Sequence, residues 1–304
     1  MRDGFGKELV RVGEEREDLV VLTADLGSSL RLEEFGKRFP QKYFNVGVAE
    51  QNMIGVAAGL AAEGWVSVTT SFAVFSPGRS WSQIRVSVAY SQANVKIVGS
   101  HGGLATGEDG ATHQALEDVA IMRVLPEMVV VAPCDEIQAR LATRAMIDYQ
   151  GPVYLRLVRP KSMVLTKEGE FEIGKAYVYR QGKMVTMLAY GLQVWEAMRA
   201  AEELERGGVE VEVINVATIK PLDEETILRS VRKTGRVLVA EDHQVVGGLG
   251  SAVAEMIVKE GLKVQFKQVG VRDGFGESGD WRELYRKYGL DSEGIKQAVL
   301  SFAF

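Results

Sequence analysis

Tyr43-Phe44-Asn45-Val46-Gly47-Val48-Ala49-Glu50-Gln51-Asn52-Met53 is the stretch that decides how this chain folds. Its apolar start reads as a short strand, Gly47 as a turn, and the run from Glu50 onward as a long helix of small residues. Over 53 to 63, Met53, Ile54, Ala57, Ala58 and Ala61 recur at helical spacing, while Gly55 and Gly59 leave a face on which another backbone can lie close. Glu50 stands in the first turn. An acid there can simply complement the helix dipole. No charge lies between Glu50 and Glu63, however, so the helix is expected to be almost entirely buried and the carboxylate to need a dedicated partner.

Outward from this unit, β-branched apolar runs alternate with helical patterns, the mark of a parallel sheet covered by helices on both faces. In the first half, strands are expected at 20–24, 43–46, 67–70, 95–98, 129–132 and 153–157, with helices near 4–16, 50–63, 78–91, 114–122 and 135–148. The polar, irregular stretch 161–174 reads as a linker. Strands at 185–189, 209–216, 236–240 and 264–269, with helices near 192–206, 223–232, 249–260, 280–288 and 292–301, make a second unit. The fold class is therefore α/β, with two doubly wound domains over 1–160 and 175–304, the second smaller. Arg-Asp-Gly-Phe-Gly occurs at 2–6 and again at 272–276, but its flanks differ entirely, so it is no architectural repeat.

A length of 304 residues with 46% hydrophobic composition can bury two cores. Net charge is −5, from 36 basic and 41 acidic residues without a basic block, which argues against nucleic acid as a partner. No apolar run approaches the roughly 18 residues of a membrane span. The start, Met-Arg-Asp-Gly-Phe-Gly, lacks the apolar block of a signal peptide, so a cytoplasmic location is expected. Cys134 is single and reads as a buried, inert thiol.

Two further stretches carry polar chemistry. In Ser71-Phe72-Ala73-Val74-Phe75-Ser76-Pro77-Gly78-Arg79, both phenylalanines fall at the carboxyl end of a strand, where open α/β sheets hold ligands; core packing is the other reading. Ser100 to Gln114 is the densest polar block, with His101, His113, Glu108, Asp109 and four glycines. It lacks the Gly-Lys-Ser/Thr ending of a P-loop. Its histidines lack helical metal-ligand spacing, and no cysteine joins them. Imidazoles that titrate near neutrality, beside a carboxylate, instead suit proton transfer on a polyhydroxy substrate. His243 precedes Gly247-Gly248-Leu249-Gly250, which is not a Gly-x-Gly-x-x-Gly motif and reads as turn and packing chemistry.

Val48-Ala49-Glu50-Gln51-Asn52, Ser71-Phe72-x-x-Phe75 and His101-x7-Asp109-Gly110-x-Thr112-His113-Gln114 jointly resemble the pyrimidine-binding half of transketolases, and the second half resembles their carboxyl-terminal domain. The resemblance implies thiamine diphosphate as cofactor. Glu50 matches the acid that bonds N1′ of the aminopyrimidine and favours its imino tautomer. Phe72 and Phe75 match the aromatic pocket around that ring. Asp109 matches the residue reading a substrate hydroxyl, and His113 the imidazole at the hydroxyl end of the donor sugar. His101, Arg2, Ser29 and Arg159 match the group holding the substrate phosphate, where arginine's fork suits a dianion. Arg156 competes for the role of Arg159, because alternate strand residues face opposite ways. The implied reaction is ping-pong transfer of a two-carbon ketol unit from a ketose phosphate to an aldose phosphate, with the cofactor carrying the hard step.

Transketolases hold the diphosphate through a metal, with hard oxygen ligands from Gly-Asp-Gly and an Asn roughly 25 to 30 residues on. This chain has no Gly-Asp-Gly, and none of Asn45, Asn52, Asn94 and Asn215 is suitably spaced from an Asp-Gly pair. The resemblance therefore implies that this chain supplies no metal ligand, and that Mg2+ (or Ca2+) and the diphosphate belong to a separate amino-terminal transketolase subunit. The expected assembly is an α2β2 heterotetramer of the pentose phosphate pathway, inactive without both chains, with the glycine face of helix 50–63 at the contact. Deoxyxylulose-phosphate synthase shares the Glu50 and Asp-Gly-x-Thr-His-Gln blocks, but it normally forms one long chain and has other residues at His101. The beta subunit of 2-oxoacid dehydrogenases has a similar glycine turn without the Asp109/His113 block. A non-catalytic scaffold is the third alternative, against which the joint presence of Glu50, Asp109 and His113 argues.

Overall fold

The computed structural model describes residues 1–303. The chain runs through α1 (Arg2–Glu15), β1 (Leu19–Thr23), α2 (Glu33–Arg38), β2 (Tyr43–Asn45), α3 (Glu50–Ala62), β3 (Val66–Phe72), α4 (Trp81–Gln83), β4 (Val95–Ser100), α5 (Asp118–Arg123), β5 (Val129–Val131), α6 (Glu136–Asp148) and β6 (Val153–Arg156). These six strands form one sheet in the order β5-β6-β4-β3-β1-β2 and are parallel throughout. Helices cover both faces, which is why β1, β3 and β4 are buried at every position and show no alternation. Winding reverses between β1 and β3, with β2 on one side and the later strands on the other. The crevice outside the carboxyl ends of the strands at such a reversal is where open sheets hold ligands.

The second unit contains β7 (Tyr177–Arg180), β8 (Val185–Ala189), α7 (Gln193–Arg206), β9 (Val211–Asn215), β10 (Thr218–Lys220), α8 (Glu224–Thr234), β11 (Arg236–Gln244), α9 (Leu249–Lys259), β12 (Gln265–Val271), α10 (Trp281–Tyr288) and α11 (Ser292–Leu300). Its sheet has the order β12-β11-β8-β9-β7. Both sheets are mostly parallel α/β sheets, as the sequence predicts, but each ends in an antiparallel strand that the pattern does not reveal. β7 pairs antiparallel with β9, and β10 leaves the second unit to pair antiparallel with β5. Four- and three-residue edge strands are too short to carry a periodicity, and the partner of β10 lies far away in sequence. Lys220 then donates to the carbonyls of Arg123 and Leu125 at the end of α5, fastening the two units together.

Several expected helices need correction. The one placed near 78–91 opens only at Trp81 and continues as a π-helical stretch, Ile84–Tyr90. The one placed near 114–122 opens at Asp118, because the Ala115 and Leu116 carbonyls accept instead from the amides of Gly103 and Gln244, both at 2.8 Å. α2 is an addition. Most importantly, α3 is buried on one side only: Glu50, Met53, Ile54 and Ala57 face the core, while Gly55 and Gly59 look into open space and Val56 is 39% exposed. None of the described residues covers the glycine face, so the small-residue run does not make a buried helix here.

The two copies of Arg-Asp-Gly-Phe-Gly fold differently, the first inside α1 with Phe5 fully buried, the second irregular with Phe275 86% exposed. Tertiary context overrides a shared pentapeptide. The glycine turn before α9 is a packing device, as expected. The Glu241 carboxylate accepts from the amides of Leu249 and Gly250 at 2.8 and 2.9 Å, and a Cβ on Gly248 would fall 2.1 Å from that carboxylate. Cys134 is buried, and burial pushes its thiol up to about 12, so it is inert.

Lys96 in β4 is a fully buried cation of the first sheet. Its Nζ donates to Asn94 Oδ1 and the Tyr149 carbonyl, both at 2.6 Å, and to the Gly151 carbonyl at 2.5 Å, closing the turn between α6 and β6. Burial pulls its pKa down to about 7, while the three oxygens favour the ammonium form. Lys96→Met leaves buried acceptors unpaired and is expected to cost about 2–4 kcal/mol, measured as a lowered denaturant midpoint. An unchanged midpoint would contradict this account.

Candidate active site

Glu50 opens α3 at the foot of the crevice and is 2% exposed. Its Oε2 accepts from Arg79 Nη1 at 2.9 Å, and the Arg79 guanidinium lies over the Phe75 ring, 4.9 Å from its centroid. The dedicated partner that the sequence requires is therefore present, although the sequence does not single it out. Arg79 comes from the loop after β3, the same loop that holds Phe72 and Phe75 with ring centroids 6.1 Å apart and planes at 12°. Phe72 is 7% exposed and packs into the core, whereas Phe75 is only partly buried. The core reading therefore holds for Phe72, while Phe75 keeps part of its ring accessible beside Arg79.

The polar block after β4 folds against this wall. Phe72 stacks on His101 with centroids 3.7 Å apart, and His113 meets the Phe75 ring edge-on at 5.3 Å. His113 hydrogen-bonds through Nδ1 to Thr112 Oγ1 at 2.9 Å. His101 has φ +58°, a left-handed conformation uncommon outside glycine. It is held by Ser100 Oγ on Nδ1 at 2.8 Å and by the Thr106 hydroxyl on its carbonyl at 2.7 Å.

Beside His101 lies a cleft of about 360 Å³ lined by Arg2, Ser28, Ser29, Arg31, Glu33, Phe72, His101, Asp109 and Arg159. Arg2 is well fixed for a residue next to the terminus, donating to the carbonyls of Ser29 at 2.7 Å and Arg159 at 2.9 Å. Arg159 reaches the Thr106 carbonyl at 2.6 Å, Glu108 at 3.0 Å and Asp109 at 3.4 Å. Those carboxylates are partly solvated, and such pairs are worth little, so an anion of higher charge can displace them. Burial, with Arg31 and Arg159 nearby, lowers the Arg2 pKa. A wider cleft of about 770 Å³ between α1 and α2 shares Arg31 and Glu33, but there Lys7–Glu136 and Arg38–Glu34 already pair off the charges.

The structure therefore brings Glu50, Phe72, Phe75, His101, His113, Asp109, Arg2, Ser29 and Arg159 to one crevice. It rejects Arg156 as an alternative to Arg159. Arg156 is 2% exposed, donates to the Asp118 carboxylate at 2.8 Å and to the Asp242 carbonyl at 2.9 Å, and is turned away from the cleft. Breaking a buried pair of this kind typically costs about 3–5 kcal/mol. Sequence reasoning missed Arg79 and Thr106. Both stand inside stretches singled out for chemistry, but neither belongs to a spacing that announces its role.

Burial first, then the positive charges of Arg2 and Arg159, push His101 down to about 3, so its imidazole is neutral throughout the physiological range. An unfolded histidine takes up a proton below about pH 6.5. The folded chain refuses that proton, so the contribution of His101 to stability falls as pH drops from there toward 3. The His101 ring resonances are expected not to titrate between pH 5 and 8; a midpoint near neutrality would contradict the neutral assignment.

Comparison with known proteins identifies the family. Residues 1–163 match the transketolase pyrimidine-binding domain, and residues 174–295 match the transketolase C-terminal domain. A provisionally named transketolase C-terminal section of Methanocaldococcus jannaschii is 46% identical over 303 residues, covering 99% of this chain and 95% of that one. A 6-deoxy-6-sulfo-D-fructose transketolase subunit of a Clostridium species (strain MSTE9) is 45% identical over 300 residues, covering 98% and 93%. A split-gene transketolase solved as an inactive β4 tetramer superposes with a TM-score of 0.92 at 43% identity, covering 98% of this chain and 96% of that one. With both family domains matched in order along one chain, this protein belongs to the transketolase family.

Proposed function

We propose that this chain is the pyrimidine-side subunit of a two-chain, thiamine-diphosphate-dependent transketolase that moves a two-carbon ketol unit between sugars with anionic ends. The observation that carries the reading is an unbroken line of contacts. Glu50 pairs with Arg79, Arg79 lies over Phe75, Phe75 neighbours Phe72, and Phe72 stacks on His101 at the edge of the cationic cleft.

The residues fit the cofactor's aminopyrimidine. A flat, delocalised cationic group, the Arg79 guanidinium, already lies against the Phe75 face and donates to the buried carboxylate. That arrangement suits a planar nitrogen heterocycle donating to the same acid. Glu50 would hold N1′ and keep a proton there, with Phe72 and Phe75 as the wall. When bound, thiamine diphosphate supplies the carbon nucleophile and the electron sink for carbon–carbon cleavage. His113 holds the hydroxyl end of the donor through the nitrogen not engaged by Thr112 and moves protons at its oxygens. His101, neutral, hydrogen-bonds the sugar without adding charge, and Asp109 accepts from a hydroxyl. Arg159, Arg2 and Ser29 take the anionic terminus, with arginine's fork matching its oxygens.

Metal and diphosphate are assigned to a partner amino-terminal subunit. Among the described residues no group of three or more His, Cys, Asp or Glu is arranged to hold a metal ion. The uncovered glycine face of α3 and the β4 tetramer described as inactive for the split-gene relative both support a chain that needs a partner. The Clostridium relative carries a sulfo-sugar in its name, so phosphate is the first anion to test and sulfonate the second. No helix among the described residues is long and apolar enough to cross a membrane.

Glu50→Gln keeps the shape and removes the charge. With the partner present it is expected to lower kcat by about 10²–10⁴-fold, the usual range for losing a proton-transfer group, while assembly persists. Near-normal turnover would remove Glu50 from its role. Arg159→Ala is expected to raise KM for a phosphorylated sugar about tenfold, in keeping with one charge-assisted hydrogen bond, and to leave an unphosphorylated analogue little changed. Equal effects on both sugars would contradict the anion assignment.

A further inference from the structure

The loop after β4 is shaped in part by the second unit. Asp242, near the end of β11 in the second unit, is 3% exposed, and its carboxylate points into the turn after His101. Oδ1 accepts from the Leu104 amide at 2.8 Å, and Oδ2 accepts from the Ala105 amide at 3.1 Å and from the Tyr285 hydroxyl of α10 at 2.9 Å. Gly103, at φ +84°, gives the carboxylate room, because a Cβ there would fall 2.1 Å from Asp242 Oδ2. The next residue, Thr106, bonds the His101 carbonyl through its hydroxyl, and its own carbonyl accepts from Arg159. Through Ala105 and Thr106, one buried carboxylate is therefore two hydrogen bonds away from both the His101 backbone carbonyl and the Arg159 guanidinium of the anion cleft.

We propose that Asp242 is a positioning residue for substrate: through Leu104 and Ala105 it sets where Thr106, and with it His101 and Arg159, stand. The second unit thereby acts in the reaction without touching substrate, as the mould for the sugar-binding loop. The contacts that join Glu50, Arg79 and Phe75 include none of Leu104, Ala105 and Thr106, and Phe75 meets the other side through the Phe72 ring and the edge of His113. Removing the Asp242 carboxylate should therefore disturb sugar binding far more than cofactor binding. The kinetic part rests on the proposed ketol transfer; the loop placement does not.

Asp242→Asn tests both parts, because the amide nitrogen turns one of the two acceptors into a donor facing an N–H group. Hydrogen–deuterium exchange on the isolated chain is expected to rise at least tenfold at Leu104 and Ala105 and to stay unchanged in α3. In the enzyme assembled with its partner, KM for a phosphorylated ketose is expected to rise at least tenfold, while binding of thiamine diphosphate stays within about twofold. Unchanged exchange at Leu104 and Ala105 overturns the proposal. So does a loss of cofactor binding in proportion to the loss of sugar binding, because a general structural role predicts that result. If Asp242→Asn does not fold, Tyr285→Phe removes one donor and leaves the carboxylate, and a two- to threefold change in the same exchange and KM is expected; no change overturns the proposal. An assembled wild-type enzyme without ketol transfer would overturn the proposed reaction and leave the exchange result to decide the loop.

Discussion

The stack of Phe72 on His101 is the contact on which the site depends. Phe72 ends β3 and His101 comes directly after β4, two adjacent parallel strands paired in register, with Phe72 opposite Ser100. Because both faces of the sheet are buried, neither ring can retreat to solvent, and the two meet at 3.7 Å. On one side of this contact stand the Glu50 carboxylate and its aromatic wall. On the other stands the cationic cleft. A parallel sheet that reverses its winding between β1 and β3 opens a crevice at this point, and the stack divides it into a carboxylate side and a cationic side.

Charge is distributed unevenly across that divide. Glu50 is deeply buried and matched by one half-exposed arginine, an arrangement that a planar donor can replace. The cationic side carries three guanidinium groups around a histidine held neutral by its burial and by two of those arginines. A neutral imidazole can donate from one ring nitrogen and accept at the other, which in the proposed reaction suits a sugar hydroxyl. The second unit supplies the counterpart through Asp242 and Tyr285, so the loop after β4 is bonded to buried polar groups of the second unit.

Much of this was legible in the sequence, for identifiable reasons. Strands buried on both faces read as apolar runs, and nearly all were located within two or three residues. Glu50, Phe72, Phe75 and the histidine block stand at strand ends, where chemistry is expected, and the structure brings them together. Other features were hidden because they depend on partners remote in sequence. β10 crosses to another sheet, Arg79 meets a helix that starts 29 residues earlier, and Asp242 meets a loop 138 residues away. The burial of α3 was overestimated for a related reason: a run of alanine and glycine records that a face can be closely approached, not which chain approaches it.

The central claim is that this subunit completes a thiamine-dependent site only together with a second chain. The most direct measurement is ketol transfer from xylulose 5-phosphate to ribose 5-phosphate, with thiamine diphosphate and Mg2+, for this chain alone, for an amino-terminal subunit carrying Gly-Asp-Gly, and for the mixture. The account predicts turnover in the mixture and none in either chain alone. Turnover by this chain alone, or a mixture that assembles and binds cofactor yet transfers no ketol unit, would contradict it.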